Sequence, residues 1–591
     1  MKQYTHQPPS QDNGFRVLSL KPAISFDAPL HCSLSKARIS DSVHYEALSY
    51  VWGARTGDRR LICDGAELLI TPNCELALRY LRTGWESRSL WVDSVCIDQK
   101  STSDRNHQVK QMGEIYRMAD RALIWLGESD DQTKSAFARW VNLDKSSERI
   151  SNEDRNYILD VCTKPWFERV WTIQEVSLAK KCLVVCGHES ISWDALVSAA
   201  ENGHIRTKIG PKYSTMPSRL KNLSTRTLSR NKYYINRNLI GDPSRMLVIL
   251  SKCRRENATD PRDKVFGLFA ILSALGLILP APDYSKTTAT VYEELTVGYI
   301  QQCKQLGLLE LVCTFGRLSE IPTWVPDFSD QKFFIGVNPT RKPLSKLVDS
   351  VLLINRTPKH LPLRGKRIAQ IEFRLCGSYV TYETVSNFRK LHYAGFTRYY
   401  LILPWASAMR EWILFVKKAN CPTGRDATHL FSWLATRDLF EEAAESGSYV
   451  GVCQMIMDIM ADSETREVPM SDFRKQETLE WVPNTSDGTF LYLLFEDHTH
   501  DHEMNWVNNC LSLLCEHTLF AMSTGHIGRA PYSIEVEDIV VWFAGAHRPM
   551  VIRPAGENYI LIGPAYIHGI KESDVWDDQD DVTQLEVFNL Q

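Results

Sequence analysis

The sequence predicts an α/β chain of several folding units. An open, mostly parallel sheet with helices is expected over about residues 40–200, a mostly helical stretch over 246–345, and a small mainly β unit near the C-terminus. Three observations predict this. Short apolar runs alternate with segments of helical period in the first part; helical spacing prevails in the middle; and near the end β-like runs are separated by Gly, Pro and Asn. At about 100–200 residues per domain, 591 residues leave room for three or so units, each able to bury a core of its own.

Along the chain, Met1 to Gly14 is polar and Pro-containing and reads as a loose tail, within an N-terminal extension over 1–39. Tyr45 to Val51 alternates apolar and polar residues and ends at Trp52-Gly53, as a strand leaving its sheet through a glycine turn does. Leu61–Cys63 and Glu67–Ile70 flank Asp64-Gly65, a strong hairpin signal. Thr71 before Pro72 is an N-cap with proline at the first helical position, so a helix is expected over about 72–83. Leu90 to Ile97 is apolar except for Asp93 and Ser94 and reads as a strand buried on both faces. Val109, Met112, Tyr116, Ala119 and Leu123 follow at helical spacing, and Ala122–Leu126 closes on Gly127 as a third strand. Pro165 to about Ala179 reads as one helix, followed by a strand over Cys182–Cys186 ending at Gly187.

Residues 201–245 are a basic linker or excursion, since His204 to Arg245 holds ten Lys and Arg against one acidic residue, Asp242. Asp260-Pro261 is expected to cap the next helix, and Tyr292–Leu306 also looks helical. Residues 346–591 form a C-terminal α+β region, in which Ile534–Phe543, Met550–Arg553 and Tyr559–Gly563 are β-like and Glu572 to Glu586 is a solvated acidic tail.

Composition excludes several classes. Apolar residues at 44% and charged residues at 24% describe a globular protein rather than a disordered or fibrous one, and a net charge of −3 supplies no whole-chain attraction for nucleic acid or anionic membrane. Fifteen cysteines, an odd number, with no charged-then-apolar leader point to a reduced, cytoplasmic location. The longest apolar run, Phe266–Leu279, falls short of the ~20 residues that a bilayer requires. The basic segment lacks a zinc-finger, helix-turn-helix or RNA-recognition signature, which argues against nucleic acid as a partner. Walker A, GxSxG and HExxH are absent. Cys182, Cys186 and His188 have no second ligand pair, and the run Asp497 to Glu503 with His498, His500 and His502 reads as a polar loop, so no metal and no resident cofactor are expected.

In open α/β sheets ligands bind beyond the carboxyl ends of the strands, and there the sequence places Ser49, Tyr50, Trp52 and Gly53, then Asp98 and Gln99, then Gly127 and Glu128. Glycine permits close backbone approach, Trp offers a stacking face, and Asp or Gln can bind sugar hydroxyls; the set describes either a nucleotide or sugar pocket or ordinary turn chemistry around a core tryptophan. Trp171 and Glu175 stand at i and i+4 and share a helix face, with Arg169 and Gln174 beside them. A carboxylate against an aromatic wall can have a raised pKa or meet a ribose; it can equally be a solvated glutamate.

The blocks Tyr45-Glu-Ala-Leu-Ser-Tyr-Val-Trp-Gly53, Leu90-Trp-Val-Asp-Ser-Val-Cys-Ile-Asp-Gln99, Gln108-Val-Lys-Gln-Met112 through Ile124-Trp-Leu-Gly127, and Arg169-Val-Trp-Thr-Ile-Gln-Glu-Val176 resemble the fungal heterokaryon incompatibility (HET) domain. The similarity extends to Asp260-Pro-Arg-Asp-Lys-Val-Phe266, Pro282-Asp-Tyr284 and Tyr559 to Gly569. It implies a HET domain over 40–200 in a protein of fungal nonself recognition, in which contact between genetically different hyphae triggers programmed cell death. The implied partners are the product of an incompatible allele or another protein of the system, with self-association as a further expectation.

HET domains are in turn similar to Toll/interleukin-1 receptor (TIR) domains, of flavodoxin-like sheet, some of which cleave NAD+ with a glutamate. Trp171-x-x-x-Glu175-Val resembles the TIR Trp-x-x-x-Glu-Leu block, and Ser49-Tyr50-x-x-Gly53 resembles the turn after the first TIR strand. The resemblance therefore implies Glu175 as the catalytic residue, with Ser49, Tyr50, Trp52, Gly53, Asp98, Gln99 and Trp171 around an NAD+ that is substrate rather than cofactor. The alternative is a non-catalytic death-signalling module that acts by assembly or partner recruitment.

Overall fold

A computed structural model describes residues 2–8, 13–53, 57–141, 151–202, 243–254, 256–313, 317–330, 360–375, 403–418, 517–577 and 580–591, with 422, 429–430 and 434. The basic run at 204–242 and the histidine cluster at 498–502 lie outside the described residues. The chain divides into two compact units, Met1–Asp242 with Glu256–Val291, and Pro243–Arg255 with Tyr292–Gln591.

The first unit is built on a nine-stranded sheet: β1 (Gly14–Leu20), β2 (Leu30–Arg38), β3 (Glu46–Ser49), β4 (Arg59–Cys63), β5 (Ala66–Ile70), β6 (Arg88–Trp91), β7 (Arg121–Trp125), β8 (Cys182–Cys186) and β9 (Glu189–Ser192). They run in the order β5-β4-β2-β1-β6-β3-β7-β8-β9. The middle, β6-β3-β7-β8, is parallel throughout, as the alternation of strands and helices predicts. β1 and the outer hairpins pair antiparallel, so the sheet as a whole is mixed rather than mostly parallel.

Several local expectations hold for the reasons given. The Asp64-Gly65 turn joins β4 to β5 with both residues at positive φ. Thr71 caps the Pro72–Leu81 helix by accepting from the Cys74 amide. The Thr102–Met118 helix buries Val109, Met112 and Tyr116. On the same helix Gly113 carries no side chain because a Cβ there would stand 2.3 Å from the Ala270 Cβ and 3.1 Å from a Leu178 methyl. Gly113→Ala should therefore destabilise by about 1–3 kcal/mol despite alanine's better helix propensity, read as a lower denaturation midpoint.

Four expectations are corrected. First, residues 1–39 are not outside the sheet, since β1 and β2 lie inside it, and the described part of the tail is docked: the Tyr4 amide donates to the Glu67 carbonyl, the Glu67 amide donates to the Lys2 carbonyl, and Arg16 donates to the Gln7 carbonyl. Second, the run from Leu90 leaves the sheet after Trp91, because Asp93–Cys96 coils into a short helix. Third, Pro165–Ala179 is not one helix. A 3-10 turn over Pro165–Glu168 is followed by extended Arg169, and the α-helix spans Thr172–Leu178. Asn257, distant in sequence, forces the break: its carbonyl accepts from the Val170 amide at 3.0 Å and its side chain donates to Glu168 at 3.1 Å. Fourth, the helix after Asp260 begins at Asp263 without a side-chain cap; the Asp260 carboxylate instead accepts from the amide and guanidinium of Arg262, at 3.0 and 2.9 Å.

Helices over Pro243–Cys253, Phe269–Ala274 and Thr288–Cys303 account for much of the described middle region. No described helix is long and apolar enough to cross a membrane.

The second unit contains β10 (Leu361–Arg374), β11 (His517–Met522), β12 (Ile527–Pro531), β13 (Ile539–Phe543), β14 (Met550–Ala555), β15 (Asn558–Pro564), β16 (Tyr566–Ile567) and β17 (Glu586–Leu590). The run β13-β14-β15-β17-β10 closes on itself because β10 also pairs with β13, and the sheet continues from β10 through β11 and β12 to β16. Val540, Val551, Ile562 and Ile371 belong to its core. The acidic tail is only partly the solvated surface expected of it, since Asp580 pairs with Lys366 at 2.6 Å and Glu586 opens the strand that closes the barrel.

Candidate functional site

The topology singles out one place. β3 lies between β6 and β7, so the chain turns to opposite sides of β3 in successive crossovers, and it is beyond the carboxyl ends of strands at such a switch point that open α/β sheets bind their ligands. Ser49 ends β3, Asp93 follows β6 by two residues, and Gly127 follows β7. Gly53 and Gly127 both adopt positive φ, and a Cβ on either would meet nothing within 4 Å, so backbone borders open space there.

Glu175 arrives from the Thr172–Leu178 helix. Its carboxylate accepts from the Ser49 hydroxyl, whose oxygen in turn accepts from Trp166 Nε1 at 2.7 Å. All three side chains are buried, Glu175 to 3% exposure. Burial pushes the Glu175 carboxyl up to about 7, with the Asp93 charge adding to the rise, against the opposing pull of the Arg169 guanidinium and the Ser49 bond. The group is therefore poised to change charge near neutral pH, as an acid or an electrostatic stabiliser in catalysis must be.

Trp52 and Asp93 form the outer part of the site. Trp52 Nε1 donates to both Asp93 carboxylate oxygens, at 3.1 and 3.0 Å, and the Ser94 amide donates to Oδ1 at 2.7 Å. Gln99 Nε2 binds the Asp93 carbonyl at 3.0 Å. Burial raises the Asp93 pKa above the usual carboxylate value, opposed chiefly by Arg169. Arg169 donates to the Tyr50 carbonyl, and the Tyr50 hydroxyl donates to Ser94 at 2.6 Å.

The structure thus brings Ser49, Tyr50, Trp52, Gln99 and Glu175 together in two hydrogen-bonded sets, Ser49 with Glu175, and Tyr50, Trp52 and Gln99 through Asp93 and Ser94. The Arg169 and Asp93 charges couple the second set to Glu175, and Gly53 follows Trp52. Two expected members face elsewhere. The Asp98 carboxylate turns back to the Lys100 amide at 3.1 Å and serves the loop before the next helix. Trp171 donates to Asp263, which also accepts from the Tyr284 hydroxyl at 2.7 Å; burial pushes that carboxyl up to about 6. The carboxylate that meets Trp52 is Asp93, which sequence reasoning counted as part of a strand. The polar pair Asp93-Ser94 inside an apolar run is the signal that could have marked it. Trp166, not Trp171, is the aromatic residue bonded into the Glu175 network.

The family model of the heterokaryon incompatibility protein (HET) matches residues 45–175, which end on Glu175 itself. This chain carries a heterokaryon incompatibility domain. The match takes in Ser49, Asp93 and Arg169, whereas Asn257 and Asp263, which anchor the turn before Glu175, come from beyond it. A second model, the Het-6 beta-barrel domain, matches residues 483–583, and the closed barrel adds β10 and β17 from outside that range. The chain is 26% identical over 395 residues to "Heterokaryon incompatibility protein 6, OR allele" of Neurospora crassa; the match covers 53% of this chain and 57% of that protein. No solved structure matches the chain.

Proposed function

We propose that this chain is an effector of fungal heterokaryon incompatibility that acts in the cytoplasm, and that its HET domain is a TIR-like module that cleaves NAD+ to trigger programmed cell death. The observation that carries the reading is the placement of Glu175, a buried carboxyl of raised pKa, on Ser49 at the switch point of the parallel strands. In the reaction the bond between ribose C1′ and the pyridinium nitrogen breaks, and its electron pair leaves with nicotinamide, which becomes neutral. Positive charge passes to the ribose, where the Glu175 carboxylate stabilises it by the electrostatic logic of glycoside cleavage. Water adds to C1′ and releases a proton, giving ADP-ribose. Ser49 orients the carboxylate, Arg169 favours its ionised form, and Trp52 with Asp93 meets the nucleotide at the rim.

A second reading has its own observation. The hydrogen bond to Ser49 and the deep burial of Glu175 are also what a structural pin would show, in a module that kills by assembly or partner recruitment. Expression in fungal hyphae separates the two. Cleavage predicts that wild-type protein kills and that Glu175→Gln, at equal abundance, does not; a fully toxic Gln variant would exclude Glu175 as the catalytic residue.

A further inference from the structure

We infer that Asp93 is a specificity-determining residue that makes this site select the oxidised, cationic pyridinium nucleotide over its reduced, neutral counterpart. The inference rests on the reading that the site takes a pyridine nucleotide, and it adds which redox form is taken and what chooses it.

Charge balance is the first support. The charged groups that act on one another here are Asp93, Glu175 and Arg169, with Tyr50, Tyr116 and Cys74 held neutral beside them: Arg169 draws down both carboxyls, and Asp93 pushes up Glu175. With both carboxyls ionised the site carries one negative charge in excess of its guanidinium. A ligand whose entering ring is positive relieves that repulsion, and one whose ring is neutral leaves it in place.

Asp93 is the outer of the two carboxylates. Glu175 is buried, whereas Asp93 and Trp52 are only partly buried, which makes Asp93 the more accessible of the two carboxylates to an incoming ring. Its anionic form is prepared for this by three donations, two from Trp52 Nε1 and one from the Ser94 amide. An ionised carboxylate has about four acceptor positions, so these bonds leave capacity for a ligand hydroxyl. Trp52 adds in the same direction. Its indole is fixed by its N–H on Asp93, and an indole face attracts a cation more than a neutral ring.

Carba-NAD+ and carba-NADH, in which a methylene replaces the ribose ring oxygen so that neither is cleaved, differ by this one charge. Their dissociation constants for the full-length protein, measured by titration calorimetry, should favour carba-NAD+ by about tenfold or more at low salt. The preference should shrink as salt rises. Asp93→Asn should bring the ratio to within about threefold of unity, mainly by weakening carba-NAD+ binding, with Glu175 intact. The salt series on wild-type protein keeps the test available if the variant folds poorly. Equal binding of the two analogues, or a ratio that survives Asp93→Asn or is indifferent to salt, would overturn the role of Asp93 and leave NAD+ cleavage standing. Binding of neither analogue by wild-type protein would overturn the nucleotide reading and this inference together.

Discussion

Replacing Glu175 by Gln is expected to slow nicotinamide release from NAD+ by about 100-fold or more, without loss of folded protein. Gln keeps the shape and can still accept the Ser49 hydroxyl bond, but it removes the charge that would face the developing cation. The stability side has a definite sign. The folded carboxyl titrates near 7 against an ordinary value of 4.5, so the neutral form is the one the fold favours. That contribution, on the order of 3 kcal/mol, is fully present below about pH 4.5 and is lost as pH rises through about 7. Gln imitates the neutral acid at every pH. Melting curves of the two proteins should therefore nearly coincide at pH 5, and above pH 8 the Gln variant should melt higher. A Gln variant that melts lower at every pH would mean that the charge itself holds the fold, and any lost toxicity would then follow from lost protein.

Arg16→Ala should destabilise the first unit strongly, by about 3–5 kcal/mol. Arg16 on β1 and Asp104 on the Thr102–Met118 helix are buried and joined by two bonds, at 2.9 and 3.2 Å. The guanidinium also serves the Cys96 carbonyl at 2.8 Å and the Gln7 carbonyl, and Asp104 accepts from the Asp98 amide at 2.7 Å. Removing the arginine leaves a carboxylate in the interior with its charge partner gone, and unfastens the loop that follows the Asp93–Cys96 turn. Denaturant unfolding of the variant should show the loss, whereas the double change Arg16→Met with Asp104→Leu should recover much of it, because no stranded charge remains. A single variant as stable as wild type would show that the pair contributes nothing.

What was legible in the sequence was local. The Asp64-Gly65 hairpin, the Thr71-Pro72 helix start and the strands flanking Gly127 and Gly187 are determined within a few residues, by positive φ, by capping chemistry and by apolar runs. The misreadings share a different cause. The Pro165 segment has the composition of one helix, and it breaks because Asn257 supplies backbone bonds from far along the chain. β1 looks like part of a tail until β2 and β6 pair with it on either side. Barrel closure depends on β10 meeting β13 and β17, each well over a hundred residues away in sequence.

The site divides along the same line. Glu175 and Ser49 stand out because each sits in a short block with chemical character of its own, and the structure joins them by a hydrogen bond across 126 positions. Asp93 was passed over for Asp98 because both lie in one block, and only the early coiling after Trp91 decides which carboxylate turns toward Trp52. Trp171 shares the i, i+4 relation with Glu175, yet Asp263 captures its indole from another segment. Spacing places a residue on an element; the partner that claims its side chain is settled by tertiary packing.

The most direct measurement of the central claim is the release of free nicotinamide when purified full-length protein is incubated with NAD+ across pH 5.5 to 8.5. The account predicts turnover that rises with pH about a midpoint near 7, as the Glu175 carboxyl ionises, and that falls by about 100-fold or more in Glu175→Gln. Absence of nicotinamide at every pH and at high concentrations of folded protein, or release that Glu175→Gln leaves intact, would contradict it.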